Sequence, residues 1–347
     1  MREKPMPIRS SFLRASLIAG TTAVGFLGVA SQAQAQDLEQ VSFALNWVPV
    51  AEHGGFYQAA LDGTYAACGI DVDIIPGGPQ VNNRALMLGG QIDFHMGGDL
   101  LQAFNAVAED VPIVAIAAIF QKNPQILMTH PGRASGLSDM EDLTVLVDDN
   151  AFLSYYQWLI QDYGFTTEQR EVYTYNAAPF LVDQDKVMQG YLTSEPYLIE
   201  LEGGFTPDVW LLADFGFDSY ATTIEAMQAT IDERPDVTKC FVEGSILGWY
   251  NYLYGDNTAA NAEIQRLNPD FTDDKIEFAI SQMLTYGVLM SGDAETLGIG
   301  AITEQKAGAF FQSMVDAGVL DAGLDWQLAF DTQFINQGLG LDLVPEN

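Results

Sequence analysis

Asn46 and Trp47 stand side by side just after an apolar, β-rich run at residues 41–45. The amide offers a donor and an acceptor to the edge of a heteroaromatic ring, and the indole offers a flat face on which such a ring could stack. Glu195, within Thr193-Ser194-Glu195-Pro196, could accept from an exocyclic amine or hold a protonated ring nitrogen through a charge-assisted bond. Tyr155, Tyr156 and Tyr191 supply further aromatic faces, and Gly97-Gly98 would let backbone N–H groups approach a solute at a helix start. His53 and Asp214 are additional hydrogen-bonding candidates. Each has a structural alternative. Asn46 could cap a turn, Trp47 and the tyrosines could be packing, and Gly97-Gly98 a tight turn. His53 could cap a helix or sit satisfied in the core, and Glu195 could be a helix-start carboxylate favoured by the dipole.

Other chemistry is missing. No G-x-S-x-G elbow, H-E-x-x-H helix motif, C-x-x-C pair or Walker-type loop occurs. The three histidines, His53, His95 and His130, lack a metal-binding arrangement, so no metal is expected. Cys68 and Cys240 are too few for a disulfide framework; in an oxidising compartment they could pair, which the sequence leaves open. An exported enzyme using carboxylates such as Glu195 and Asp149 as acid and base is the competing class, since acid–base pairs need no linear motif.

The elements that would position these residues alternate between short β-rich runs and helical stretches. Strands are expected at residues 41–45, 70–75, 92–96, 113–120, 143–147, 171–175, 190–192 and 209–213. Helices are expected at 55–67, 83–88, 100–108, 152–163 and 181–189, and beyond about Thr222 the pattern becomes mostly helical. Such alternation argues for α/β architecture with mainly parallel sheets flanked by helices. Ligands of open α/β sheets bind beyond the carboxyl ends of the strands. The segments there contain Trp47, Tyr155, Tyr156 and Tyr197, many carboxylates and amides, and a single basic residue, Lys122.

A chain of 347 residues with 48% apolar and 18% charged side chains is globular and long enough for two lobes. Its 47 acidic and 14 basic residues give a formal charge of -33, which excludes nucleic acid as a partner. Residues 1–35 carry a basic start, a weakly apolar stretch from Ala15 to Ala30 and Ala33-Gln34-Ala35, the pattern of a cleavable signal peptide. That apolar stretch is short for a membrane span, so export to the periplasm and release is expected.

The run from Val41 to Ile75 resembles the thiamine-pyrimidine branch of the solute-binding proteins that serve ABC importers, a superfamily that also takes in nitrate and taurine receptors. The resemblance rests on Leu45-Asn46-Trp47 with Pro49, on His53 and Gly63, and on Gly69-Ile70-Asp71-Val72. Gly90-Gln91-Ile92-Asp93 and Gly190-Tyr191-Leu192-Thr193-Ser194-Glu195-Pro196 look like later landmarks. It implies a two-lobed periplasmic binding protein of type II, with lobe one at 37–127 plus 223–347 and lobe two at 128–222. It further implies a monomer that closes over a small planar nitrogen heterocycle and delivers it to a membrane permease. Trp47 would face a tyrosine of lobe two, from Tyr155, Tyr156 or Tyr191. Riboflavin-like, nitrate or sulfonate solutes are the alternatives, the anions disfavoured by the shortage of cations. Some members are enzymes that consume bound pyridoxal phosphate; here Gly97 stands near the position of their lysine and the cysteine-rich motif is missing, so no cofactor is expected.

Overall fold

The computed structural model describes residues 38–79 and 81–345, so the leader expected at 1–35 lies outside the described residues. Among these, ten strands occur: β1 (Glu39–Ala44), β2 (Ile70–Ile75), β3 (Phe94–Met96), β4 (Ile113–Phe120), β5 (Gln125–Thr129), β6 (Thr144–Val147), β7 (Arg170–Val172), β8 (Lys186–Tyr191), β9 (Asp208–Leu211) and β10 (Ala221–Met227). They form two five-stranded sheets, ordered β2-β1-β3-β10-β4 and β7-β6-β8-β5-β9. All eight residues of β4, Ile-Val-Ala-Ile-Ala-Ala-Ile-Phe, are buried, as expected of a strand covered on both faces.

Each sheet has one strand of opposite sense. β10 runs antiparallel to β3 and β4, and β5 runs antiparallel to β8 and β9, whereas β1 is parallel to β2 and β3, and β6 to β7 and β8. These two are the strands through which the chain enters a lobe from the other one. The other strands end at the cleft, so a strand that starts at the hinge must run away from it. The crossings lie at residues 121–124 and 212–220, a few residues ahead of the boundaries expected at 127/128 and 222/223. Lys306 ties them together: its ammonium donates to the Gln121 carbonyl at 2.7 Å and to Asp218 Oδ1 at 3.0 Å.

Several elements differ from the sequence expectation. Residues 181–189 are not one helix: a short helix, Ala178–Val182, gives way to β8, whose Val187 and Met188 are buried between β5 and β6. Residues 221–227 are a strand rather than the start of the helical region, and β5 was not foreseen. The first expected helix is two, Gly54–Leu61 and Thr64–Cys68, separated at Gly63, which has a φ of 85°. The fourth, expected from Phe152, starts at Tyr155 and runs to Tyr163, after a separate short helix at Asp149–Phe152.

Helix Gly54–Leu61 lies against the 20-residue helix Pro235–Tyr254, and glycine makes the approach possible. A Cβ on Gly55 would fall 2.2 Å from the Trp249 ring, and one on Gly248 would fall 2.3 Å from the Gly55 carbonyl oxygen. Cys68 and Cys240 are disulfide-bonded, which anchors helix Thr64–Cys68 to the same long helix. Among the described residues no helix is long and apolar enough to cross a membrane.

Candidate functional site

On the first lobe the cleft wall is built from the segments that follow β1 and β3. Asn46 Nδ2 donates to the Gly97 carbonyl at 3.5 Å, linking the two. Gly97 is a packing glycine: a Cβ there would meet Glu225 Oε1 at 2.3 Å and Thr223 Oγ1 at 2.4 Å, and its N–H donates to the Thr223 carbonyl at 2.8 Å. That N–H is therefore engaged. Beside it, Gly98 lies under the Gln102 amide. Glu225, wholly buried on β10, accepts from Arg84 Nε and Nη2 at 3.0–3.1 Å and lies 2.9 Å from His95 Nε2. Burial alone would raise its pKa, but His95 and Arg84 outweigh that and hold it down at about 2.

Asp99 follows, capping helix Leu100–Ala108 by accepting from the Gln102 N–H at 3.2 Å. Its other oxygen accepts from Ser154 of the second lobe at 2.9 Å. Burial raises its pKa against these hydrogen bonds. Glu52 lies in the 3-10 turn Ala51–His53 and is 5% exposed. Its Oε1 accepts from Thr193 Oγ1 of the second lobe, and its Oε2 has no hydrogen-bond partner. Burial pushes its pKa up to about 7, the Thr193 hydroxyl opposing and the Glu195 carboxylate adding to the rise.

The second lobe contributes Asp148, Tyr155, Tyr175, Tyr191, Thr193 and Glu195. Asp148 caps the turn after β6 through the Ala151 N–H at 2.8 Å, and accepts from Gln189 Nε2 at 2.7 Å and Tyr175 Oη at 2.9 Å. Tyr155 is buried at the base, with Gln125 Nε2 3.4 Å from its phenol oxygen. Glu195 opens helix Glu195–Gly203 and accepts from the Tyr191 N–H at 2.6 Å. Burial raises its pKa despite that bond. Burial raises the pKa of Tyr191, and the negative charges of Asp99, Glu52, Glu195 and Asp148 add to the rise.

The lobes meet through aromatic faces as well. The Trp47 and Tyr175 rings have centroids 4.4 Å apart with their planes tilted by 47°, and Tyr197 meets Phe278 at 5.2 Å. A cavity of about 160 Å³ is lined by Trp47, Val50, Thr193, Tyr197, Phe271 and Phe278, among others. Lys275 stands at its edge with Nζ given to the Asp270 carbonyl at 2.8 Å.

Of the residues singled out from sequence, the structure brings Asn46, Trp47, Gly97, Gly98, Tyr155, Tyr191 and Glu195 to this cleft. Three lie elsewhere. Tyr156 turns into the core of the second lobe, donating to the Thr166 carbonyl at 2.9 Å and packing on Phe152 and Phe165. His53 is buried, with Nδ1 accepting from the Val50 N–H at 3.3 Å; burial lowers its pKa to about 3 and leaves it neutral. Asp214 is exposed at the hinge, 3.8 Å from Lys122. Sequence reading missed Glu52, although it lies within the segment after β1, because nothing local marks it as buried. It missed Tyr175 because the strand was expected to run through that residue. The strand stops at Val172, and Tyr175 turns out at a φ of 60°. Among the described residues no group of three or more His, Cys, Asp and Glu is arranged to hold a metal ion.

Two α/β lobes joined by two crossings, with facing walls at the strand ends, define the type II periplasmic-binding architecture of the solute-binding components of ABC importers. The match to the NMT1/THI5 like family covers residues 50–259, and the chain belongs to that family. It is similar to the riboflavin-binding protein RibY of Chloroflexus aurantiacus, 23% identical over 331 residues and 87% of each chain. A protein of Bordetella bronchiseptica RB50 shares the fold with a TM-score of 0.65 at 14% identity, over 86% of this chain and 96% of that one. The alkanesulfonate-binding protein SsuA of Xanthomonas axonopodis pv. citri, solved with MOPS bound, gives a TM-score of 0.60 at 10% identity, over 85% and 99%.

Proposed function

We propose that this chain is the periplasmic receptor of an ABC importer and captures a planar nitrogen heterocycle, neutral or cationic, between Trp47 and Tyr175. The observation that carries this is the pairing of those rings across the cleft, backed by Glu52, Asp99, Asp148 and Glu195. Parting the rings by one further stacking distance, about 3.5 Å, admits a flat ring between them. A flavin-type ring is the first choice, because the relative in Chloroflexus is named for riboflavin. An aminopyrimidine of the thiamine-precursor type is second. Nitrate and sulfonates fit less well: such anions need several aimed donors or a cation, while Arg84 is bound to Glu225, the carboxylates of Glu52, Asp99, Asp148 and Glu195 face the cleft, and Lys275 is the one cation among the described residues lining the cavity. The exported location rests on the leader pattern and agrees with the Cys68 and Cys240 disulfide.

Calorimetric titration with riboflavin, 4-amino-5-hydroxymethyl-2-methylpyrimidine, nitrate and taurine tests the reading. A heterocycle should bind best, and Trp47→Ala should weaken it by about 1–3 kcal/mol, as for loss of a stacked ring. Tightest binding of an anion, or unchanged affinity in the Trp47→Ala variant, overturns it.

A further inference from the structure

Among the described residues, Glu52 carries the one carboxylate oxygen of the cleft that is buried without a hydrogen-bond partner. A carboxylate oxygen taken out of water needs a donor, and leaving it without one is costly. The neighbouring groups offer little. Glu195 is a like charge, and Tyr191 and Tyr252 are close enough for their phenols to feel Glu52 yet donate nothing to Oε2. Thr193, the residue of the second lobe that does donate, is spent on Oε1. Thr193 also lines the cavity with Trp47, so Glu52 stands directly behind a residue of the cavity wall.

Resting on the reading of this cleft as a heterocycle site, we infer that Glu52 is the solute's specificity-determining anchor: its free oxygen accepts an N–H from the edge of the stacked ring. The ligand class narrows accordingly, to heterocycles that present an imide, amino or protonated ring N–H. Analogues methylated at that nitrogen are rejected, because they leave the buried oxygen without a donor. The same residue couples recognition to closure, since Glu52 of the first lobe is bonded to Thr193 of the second.

The test uses two matched probe pairs at pH 8, riboflavin with 3-methylriboflavin and 4-amino-2-methylpyrimidine with its 4-dimethylamino analogue. The wild type should bind the N–H member of at least one pair about tenfold or more tightly than its methylated partner, the range of a hydrogen bond to a charged group. Glu52→Leu should bind both members equally, near the wild-type affinity for the methylated one. Glu52→Gln, which keeps a neutral acceptor of the same shape and guards against a folding defect, should discriminate to an intermediate degree. Binding without discrimination by the wild type, or discrimination retained in Glu52→Leu, overturns the role of Glu52 and leaves the heterocycle reading standing. Failure of the wild type to bind any of the four probes removes both.

Discussion

Glu52→Gln should stabilise the ligand-free protein, and only at pH values where Glu52 would be ionised. The carboxyl is 5% exposed and its pKa is pushed from the usual 4.5 to about 7, chiefly by burial. The folded protein therefore holds this proton more tightly than the unfolded chain does. Stability is fullest below pH 4.5, falls as pH rises from 4.5 to 7, and stays lowered above that. At roughly 1.4 kcal/mol per pH unit, the interval corresponds to about 3 kcal/mol. Opening of the lobes would hydrate the carboxylate, so that figure is a ceiling. Glutamine keeps the shape and can still accept from Thr193, but carries no charge to desolvate. Melting curves of both proteins at pH 4, 6 and 8 should nearly coincide at the first and separate by on the order of 4 °C at the last. A separation that does not change with pH, or a variant less stable at pH 8, refutes the reasoning.

Glu225 should behave in the opposite sense. Held at about 2 by His95 and Arg84, it contributes stability above pH 4.5 that is lost as pH falls towards 2. Glu225→Gln should cost about 3–5 kcal/mol at pH 7 in denaturant titrations, with the deficit shrinking by pH 3; an undiminished deficit contradicts the assignment. Lys306→Met removes the ammonium shared by Gln121 and Asp218, so small-angle scattering of the ligand-free protein should show a larger radius of gyration than the wild type. Unchanged scattering means that the hinge is held by other contacts. The disulfide closes a sequence separation of 172 residues, and Cys68→Ser with Cys240→Ser should lower stability by about 2–5 kcal/mol. Reductant should lower the melting temperature of the wild type to that of the double variant and leave the variant itself unmoved.

How much of this could be read from sequence depended on how local the signal was. Asn46 and Trp47 follow a strand recognisable from a few residues, so the first wall of the cleft was legible. β10 was not: Ala-Thr-Thr-Ile-Glu-Ala-Met mixes helix formers with a glutamate. That glutamate is tolerated in a buried strand only because Arg84 and His95, more than a hundred residues earlier, meet it. The same limit hid Glu52, whose burial is created by Thr193 from the other lobe. Tyr156 misled for a related reason. It follows Tyr155 directly on one helix, and adjacent helical residues point about 100° apart, so one ring reaches the cleft base while the other fills the core.

The carboxylates also explain why closure and recognition should be a single event. Across the cleft the charge of Glu195 acts on Glu52 and Asp99 accepts from Ser154, and burial raises the pKa of all three carboxyls. Each such rise means that the ionised group is disfavoured by its burial in the empty cleft. On the proposed reading, a solute that brings N–H donors or positive charge would offset part of that penalty while it stacks on Trp47. An anion would add a further negative charge to that set. The closed state is thus favoured by the solute's own donors, and a ligand gains affinity here in proportion to its differential contact with the two states. On this account, solutes of equal ring size should rank by the donors they turn towards the carboxylates of the cleft.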